Sequence, residues 1–164
     1  MTTRNFALIL GIVFLILGIA GFIPGLVSHG VPDTGMAPGD PGAAPAPPVA
    51  DGYGYLLGLF PVNALHNLFH IGWGIFGIVA YRGLAGARGF AKATAIVYAV
   101  LTVLGLIPGL NTVFGLIPLY GHDVWLHALI AIASAYFGFA RAAEAEPVAT
   151  GPTTAAGADP HRRV

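Results

Sequence analysis

The chain has 164 residues, of which 56% are hydrophobic and only 9% charged, and its mean hydropathy is +0.79; soluble domains carry about a quarter charged residues. Seven Lys and Arg balance seven Asp and Glu, so there is no basic footprint for nucleic acid and no nucleic-acid partner is expected. Cys is absent, which removes disulfides, thiolate nucleophiles, iron–sulfur clusters and Cys-ligated zinc and leaves His, Asp, Glu and the backbone as ligands.

A membrane-spanning helix needs about 20 mostly apolar residues, and four segments approach that length. The first, about 6–24 (FALILGIVFLILGIAGFIP), exceeds the about 7–15 apolar residues of a signal-peptide core and has no Ala-x-Ala site behind it, so it reads as a retained helix. An outer loop over about 27–52 follows, and its stretch 31–50 (VPDTGMAPGDPGAAPAPPVA) is a Pro/Gly/Ala-rich spacer that has little apolar surface to bury. The second span, about 63–81 (NALHNLFHIGWGIFGIVAY), carries Asn and His near its start. The third, about 90–107, is apolar except for Lys92, which can snorkel to the interface. The fourth, about 123–139 (DVWLHALIAIASAYFGF), carries Asp123 and His127 near its start. Residues 142–164 read as a disordered tail, with His161 a bystander, so residues 1–141 form the membrane domain.

Charge orients the bundle. Arg4 precedes the first span, Arg82, Arg88 and Lys92 are expected in the short turn between the second and third, and Arg141, Arg162 and Arg163 follow the fourth, while the other two connections hold no Lys or Arg. The positive-inside rule then puts both termini and the tail in the cytoplasm. The expectation is an all-α, four-helix transmembrane bundle without β-sheet, multi-pass in the cytoplasmic (inner) membrane.

The sequence also repeats. Residues 21–26 (GFIPGL) match 105–110 (GLIPGL) at five of six positions, and 58–70 (GLFPVNALHNLFH) match 115–127 (GLIPLYGHDVWLH) at Gly, Leu, Pro and His. Two helices make one unit, and an even number of spans preserves orientation, so two parallel two-helix repeats about an axis along the membrane normal are expected. Pro24 and Pro108 are expected to end their helices, and Pro61 and Pro118 to begin the next.

The same residues carry a family resemblance. Pro61, Asn63, His66, Asn67 and His70 in the first motif, and Asp123 and His127 in the second, set in a four-span layout, resemble the bacterial and archaeal membrane family called domain of unknown function 4383. The resemblance covers about 4–141 apart from the Pro-rich outer loop, which is longer than the family would need. It implies the fold and the membrane location, and brings no activity, cofactor or site residues.

His66 and His70, four apart, share one helix face, which Asn63 extends outward and Gly74 and Gly77 continue inward. Asp123 and His127 have the same spacing, followed on their side by Ala131, Ser134 and Gly138. The repeat superposes Asp123 on His66 and His127 on His70, so His70 should face His127 and His66 should face Asp123 near the outer leaflet. Polar groups in a span are costly, about 2.5–3.5 kcal/mol for a charged one on insertion scales, and turn toward a partner, water or a ligand. Three readings stay open. His66, His70, Asp123 and His127 could hold a metal ion, with Asn63, Asn67 and Ser134 as supporting polar groups. His70 and His127 could be axial ligands of a haem in a redox protein, or contact a quinone-type ligand. The same groups could act as interhelical hydrogen-bond glue, with Asn63 and Asp123 as helix caps. His29 and His122 read as loop and interfacial residues, Trp73, Trp125, Tyr53, Tyr55 and Tyr120 as aromatic belt or core, and the Thr94, Tyr98 and Thr102 stripe as close packing.

No Walker A, G-x-S-x-G, H-E-x-x-H or paired intramembrane carboxylates are present, so phosphoryl transfer, serine hydrolysis and zincin proteolysis lack their parts. Four spans without a charged pathway or a broken-helix pair make poor transporters or channels. A non-enzymatic binding or accessory membrane protein is the leading expectation. The lipid bilayer is its first partner, and association as a homo-oligomer or within a larger membrane complex is compatible with it.

Overall fold

The computed structural model describes residues 1–28 and 53–141. Most of the expected outer loop, its His29 and the 142–164 tail with His161 lie outside the described residues. The described residues are mostly helical, with four α-helices: α1 (Thr3–Ala20), α2 (Ala64–Ala80), α3 (Leu84–Leu106) and α4 (His122–Ala135), the last continued by a π-helical turn, Tyr136–Ala140. Three of these stretches, Thr3–Ala20, Leu84–Leu106 and His122–Ala140, are long and apolar enough to cross a membrane, and Ala64–Ala80 is a shorter apolar helix.

Local signals set the helix ends. Thr2 caps α1 by accepting from the Asn5 N–H at 3.1 Å, and Asn63 caps α2 by accepting from the His66 N–H at 2.8 Å. Helix α3 begins at Leu84, so Arg88 and Lys92 lie on the helix and not in the turn before it. Leu, Ala and Arg in LAGARGFAKATA are strong helix formers that outweigh Gly86 and Gly89, whereas a hydropathy reading starts only where the charges thin out.

The helices form two antiparallel hairpins, α1 with α2 and α3 with α4. In the first, the backbones nearly touch: a Cβ on Gly74 would stand 2.7 Å from the Leu15 nitrogen, and one on Gly11 2.8 Å from the Ile78 nitrogen. Inward faces are built of small and polar residues, as on α2, which buries His66, Asn67, His70, Gly74, Gly77 and Ala80. Outward faces carry exposed Ile9, Ile16, Leu68, Ile75, Ile96, Val103, Leu129 and Ile132. That inside-out pattern suits lipid, which gives apolar side chains no reason to hide and lets small residues bring helices together. Between the hairpins, Phe14 stacks on Tyr98 at 5.3 Å, Phe90 meets Phe76 edge-on at 5.2 Å, and Phe6 stacks on Phe137 at 4.3 Å.

The expectation of no β-sheet is corrected by three short strands, β1 (Val27–Ser28), β2 (Gly54–Leu56) and β3 (Phe60–Val62), which form an antiparallel sheet in the order β1-β2-β3. Ser28 pairs with Tyr55, so the two ends of the connection between α1 and α2 are tied side by side, and Tyr55 pairs with Pro61. Pro61 therefore sits in an edge strand, where its missing N–H is tolerated, and does not begin a helix. The β2–β3 turn puts Leu57 at φ 54° and Gly58 at φ 73°, and the Leu59 N–H reaches the Leu56 carbonyl at 3.1 Å, a tight hairpin turn with both central residues at positive φ. Elements of two or three residues are too short for alternation to register.

All five cations among the described residues gather at one end. Arg4 donates to the Tyr81 carbonyl at 2.9 Å, Arg88 to the Arg141 carbonyl at 3.0 Å, and Arg141 to the Met1 carbonyl. Lys92 lies over the Phe139 ring. Asp123 is the sole carboxylate among the described residues and lies at the other end, beside the sheet.

Candidate functional site

At that second end, the first turns of α2 and α4 bring His66, His70, Asp123 and His127 together. The exposures are 2%, 7%, 2% and 1%. His66 Nδ1 lies 3.9 Å and His127 Nε2 4.0 Å from Asp123 Oδ2. One ring nitrogen from each of His66, His70 and His127 lies within 4.8 Å of the others. The His66 and His70 ring centroids are 4.4 Å apart, and those of His66 and His127 6.2 Å. Beside the rings is a cavity of about 30 Å³, lined by the three histidines, Phe69, Tyr98, Leu101, Ile117 and Leu119.

The spacing within this group is the informative quantity. None of its distances to Asp123 is a hydrogen bond, which removes direct His–Asp glue. Donors around a tetrahedral ion with bonds of about 2.0–2.1 Å lie about 3.3–3.5 Å apart; the three imidazole nitrogens, within 4.8 Å of one another, and the Asp123 oxygen, 3.9 and 4.0 Å from two of them, are spaced somewhat wider than that. Six buried side-chain polar atoms among the described residues lack a hydrogen bond, and four of them, on His66, Tyr98, Asp123 and His127, lie at this one place. Orphaned buried groups cost about 1–3 kcal/mol each, and four of them are concentrated here.

The surroundings hold the rings in place. Phe14 stacks on His70 at 5.5 Å, and the Tyr98 and His127 rings meet nearly perpendicular at 5.0 Å. The Pro61 carbonyl lies in hydrogen-bonding reach of the His66 ring, an arrangement that turns the other ring nitrogen, Nδ1, toward Asp123. The 107–121 connection lines one side of the cavity through Ile117 and Leu119. Tyr53 fixes that connection by donating to the Gly115 carbonyl at 2.7 Å, and Asn63 does so by donating to the Leu116 carbonyl at 2.7 Å. Nearby, burial and a hydrogen bond with Tyr55 push the Tyr120 phenol above its ordinary range.

The three supporting groups go elsewhere. Asn63 is used in the cap and the loop contact, and Asn67 donates to the Gly21 carbonyl at 2.7 Å in the α1–α2 crossing. Ser134 is buried seven residues beyond His127 with its hydroxyl unpartnered. Asp123 does not cap α4; the cap position is Gly121, at φ 65°. His122 is exposed. Tyr98, read from sequence as packing, belongs to the site. Its signal was a lone phenol in the middle of an apolar helix, a polar group that needs an acceptor when buried.

Fold and site together define a helical protein with three helices fit to cross a membrane and a buried histidine cluster at one end. The chain belongs to the family of the domain of unknown function DUF4383, whose profile matches residues 4–140. No curated protein and no solved structure matches it.

Proposed function

We propose that this is a four-span protein of the cytoplasmic membrane that holds a transition-metal ion near the outer leaflet, with His66, His70, His127 and Asp123 as ligands, and that it acts by binding and not by catalysing a reaction. The observation that carries the reading is the convergence of three buried imidazoles, with the buried Asp123 carboxylate 3.9 and 4.0 Å from two of them, without hydrogen bonds to one another, beside a small cavity. Three nitrogens and one oxygen suit zinc, and also copper or iron.

Haem or quinone ligation by His70 and His127 is not favoured, because ligands of that size occupy pockets of about 300 Å³ or more and the cavity measures about 30 Å³. Helix α2, with 17 residues, is at the short limit for a span and is the fourth. Termini in the cytoplasm agree with the cations collected at the Arg4 end. Two parallel repeats agree with the meeting of repeat-equivalent positions, His66 with Asp123 and His70 with His127. Residues 1–141 form the membrane domain, and 142–164 its cytoplasmic tail.

Elemental analysis of the purified full chain, wild type against His70→Ala, tests the reading. About one metal per chain, lost in the variant, is the expected result. A metal-free wild type that still loses thermal stability on His70→Ala would make the cluster a structural fastening.

A further inference from the structure

Tyr98 projects from the middle of α3 into the same cavity, fully buried at 0% exposure, with its hydroxyl lacking any hydrogen bond. Its helix neighbours are satisfied locally: the Thr94 hydroxyl donates to the Phe90 carbonyl at 2.8 Å, and that of Thr102 to the Tyr98 carbonyl at 2.7 Å. The phenol alone on this face wants an acceptor. The cavity it lines is otherwise walled by Phe69, Leu101, Ile117 and Leu119, with the histidines on the remaining side. A cavity needs about 10–15 Å³ to hold one water, so about 30 Å³ admits an occupant of one to three heavy atoms.

We infer that the bound metal takes a fifth ligand from this cavity, beyond its four protein donors, and that the Tyr98 hydroxyl donates a hydrogen bond to the water, hydroxide or small anion that fills this position. The inference rests on the metal reading above and goes beyond it. Four protein ligands close a tetrahedral site, whereas a metal that expands to five-coordination takes an exogenous ligand. The apolar walls exclude larger molecules, and Tyr98, which is not a metal ligand, sets the preference for an occupant able to accept a hydrogen bond.

Cobalt(II) reports this directly, because its visible spectrum changes with coordination number. The full chain in detergent is loaded with cobalt and titrated with azide as the probe anion. Wild type should respond to azide. Tyr98→Phe should keep its cobalt and bind azide about tenfold or more weakly, as for the loss of one hydrogen bond to a charged group. Leu101→Phe, which fills the cavity, should keep cobalt and show no azide response. A cobalt-loaded wild type insensitive to azide, equal affinity in Tyr98→Phe, or an unchanged response in Leu101→Phe would each overturn the fifth position while leaving the metal site standing. A wild type that takes up no cobalt overturns the metal reading, and this inference with it.

Discussion

His66 Nδ1 and Asp123 Oδ2 face each other across α2 and α4 at 3.9 Å, too far for a hydrogen bond and close enough to share an ion. The two residues stand at equivalent positions of the sequence repeat, one an imidazole and the other a carboxylate. On the proposed metal reading, copies of one motif would thereby supply two kinds of donor to one centre.

Protons should compete with the metal. Ligation requires three neutral imidazoles and an ionised carboxylate, and the ordinary imidazole value is about 6.5. The metal is expected to stay bound at neutral and mildly alkaline pH and to be released as the pH falls below that value, with more than one proton taken up per ion. Dialysis at stepped pH followed by elemental analysis measures it. Release on raising the pH, or retention unchanged in strong acid, would contradict a His₃Asp donor set.

The faces of α2 and α4 were legible from spacing alone. His66, His70, Gly74 and Gly77 on one helix, and Asp123, His127, Ala131, Ser134 and Gly138 on the other, are all buried, because a helix places residues three and four apart on one side. Tyr98 was not legible as a site residue. Its contribution depends on where α3 crosses the other two helices, which no local pattern encodes. The strands escaped for a different reason: Val27–Ser28 and Gly54–Leu56 pair across the outer loop, so the contact that defines them lies far away in sequence.

The α1–α2 crossing makes a stability prediction with an internal control. Gly74→Val places its side chain against the Leu15 backbone, 2.7 Å from the nitrogen already at Cβ, whereas a Cβ on Gly72 meets nothing within 4 Å. Gly74→Val should cost about 1–3 kcal/mol through overpacking and lower the thermal midpoint in detergent. Gly72→Ala should be neutral or slightly stabilising, since Ala is the better helix former. Equal midpoints for Gly74→Val and wild type would show that the helices do not cross there.

Topology is open to labelling, since the chain has no Cys of its own. Gly25, in the turn after α1, and Gly83, before α3, both have open space at Cβ. With the termini in the cytoplasm, Gly25→Cys should react with an impermeant maleimide added outside intact cells, and Gly83→Cys only after lysis. Labelling of Gly83→Cys in intact cells would reverse the bundle and move the histidine cluster to the inner leaflet.

X-ray absorption at the metal edge of the purified full chain tests the central claim most directly, because it counts donors by element and distance. The account predicts three nitrogen donors at about 2.0–2.1 Å with the outer-shell scattering of imidazole rings, and oxygen donors at about 2.0–2.2 Å from Asp123 and the cavity occupant, with no bound-metal signal in His70→Ala. A shell of oxygen donors alone, unchanged in that variant, would place the ion elsewhere and contradict a metal site built by α2 and α4.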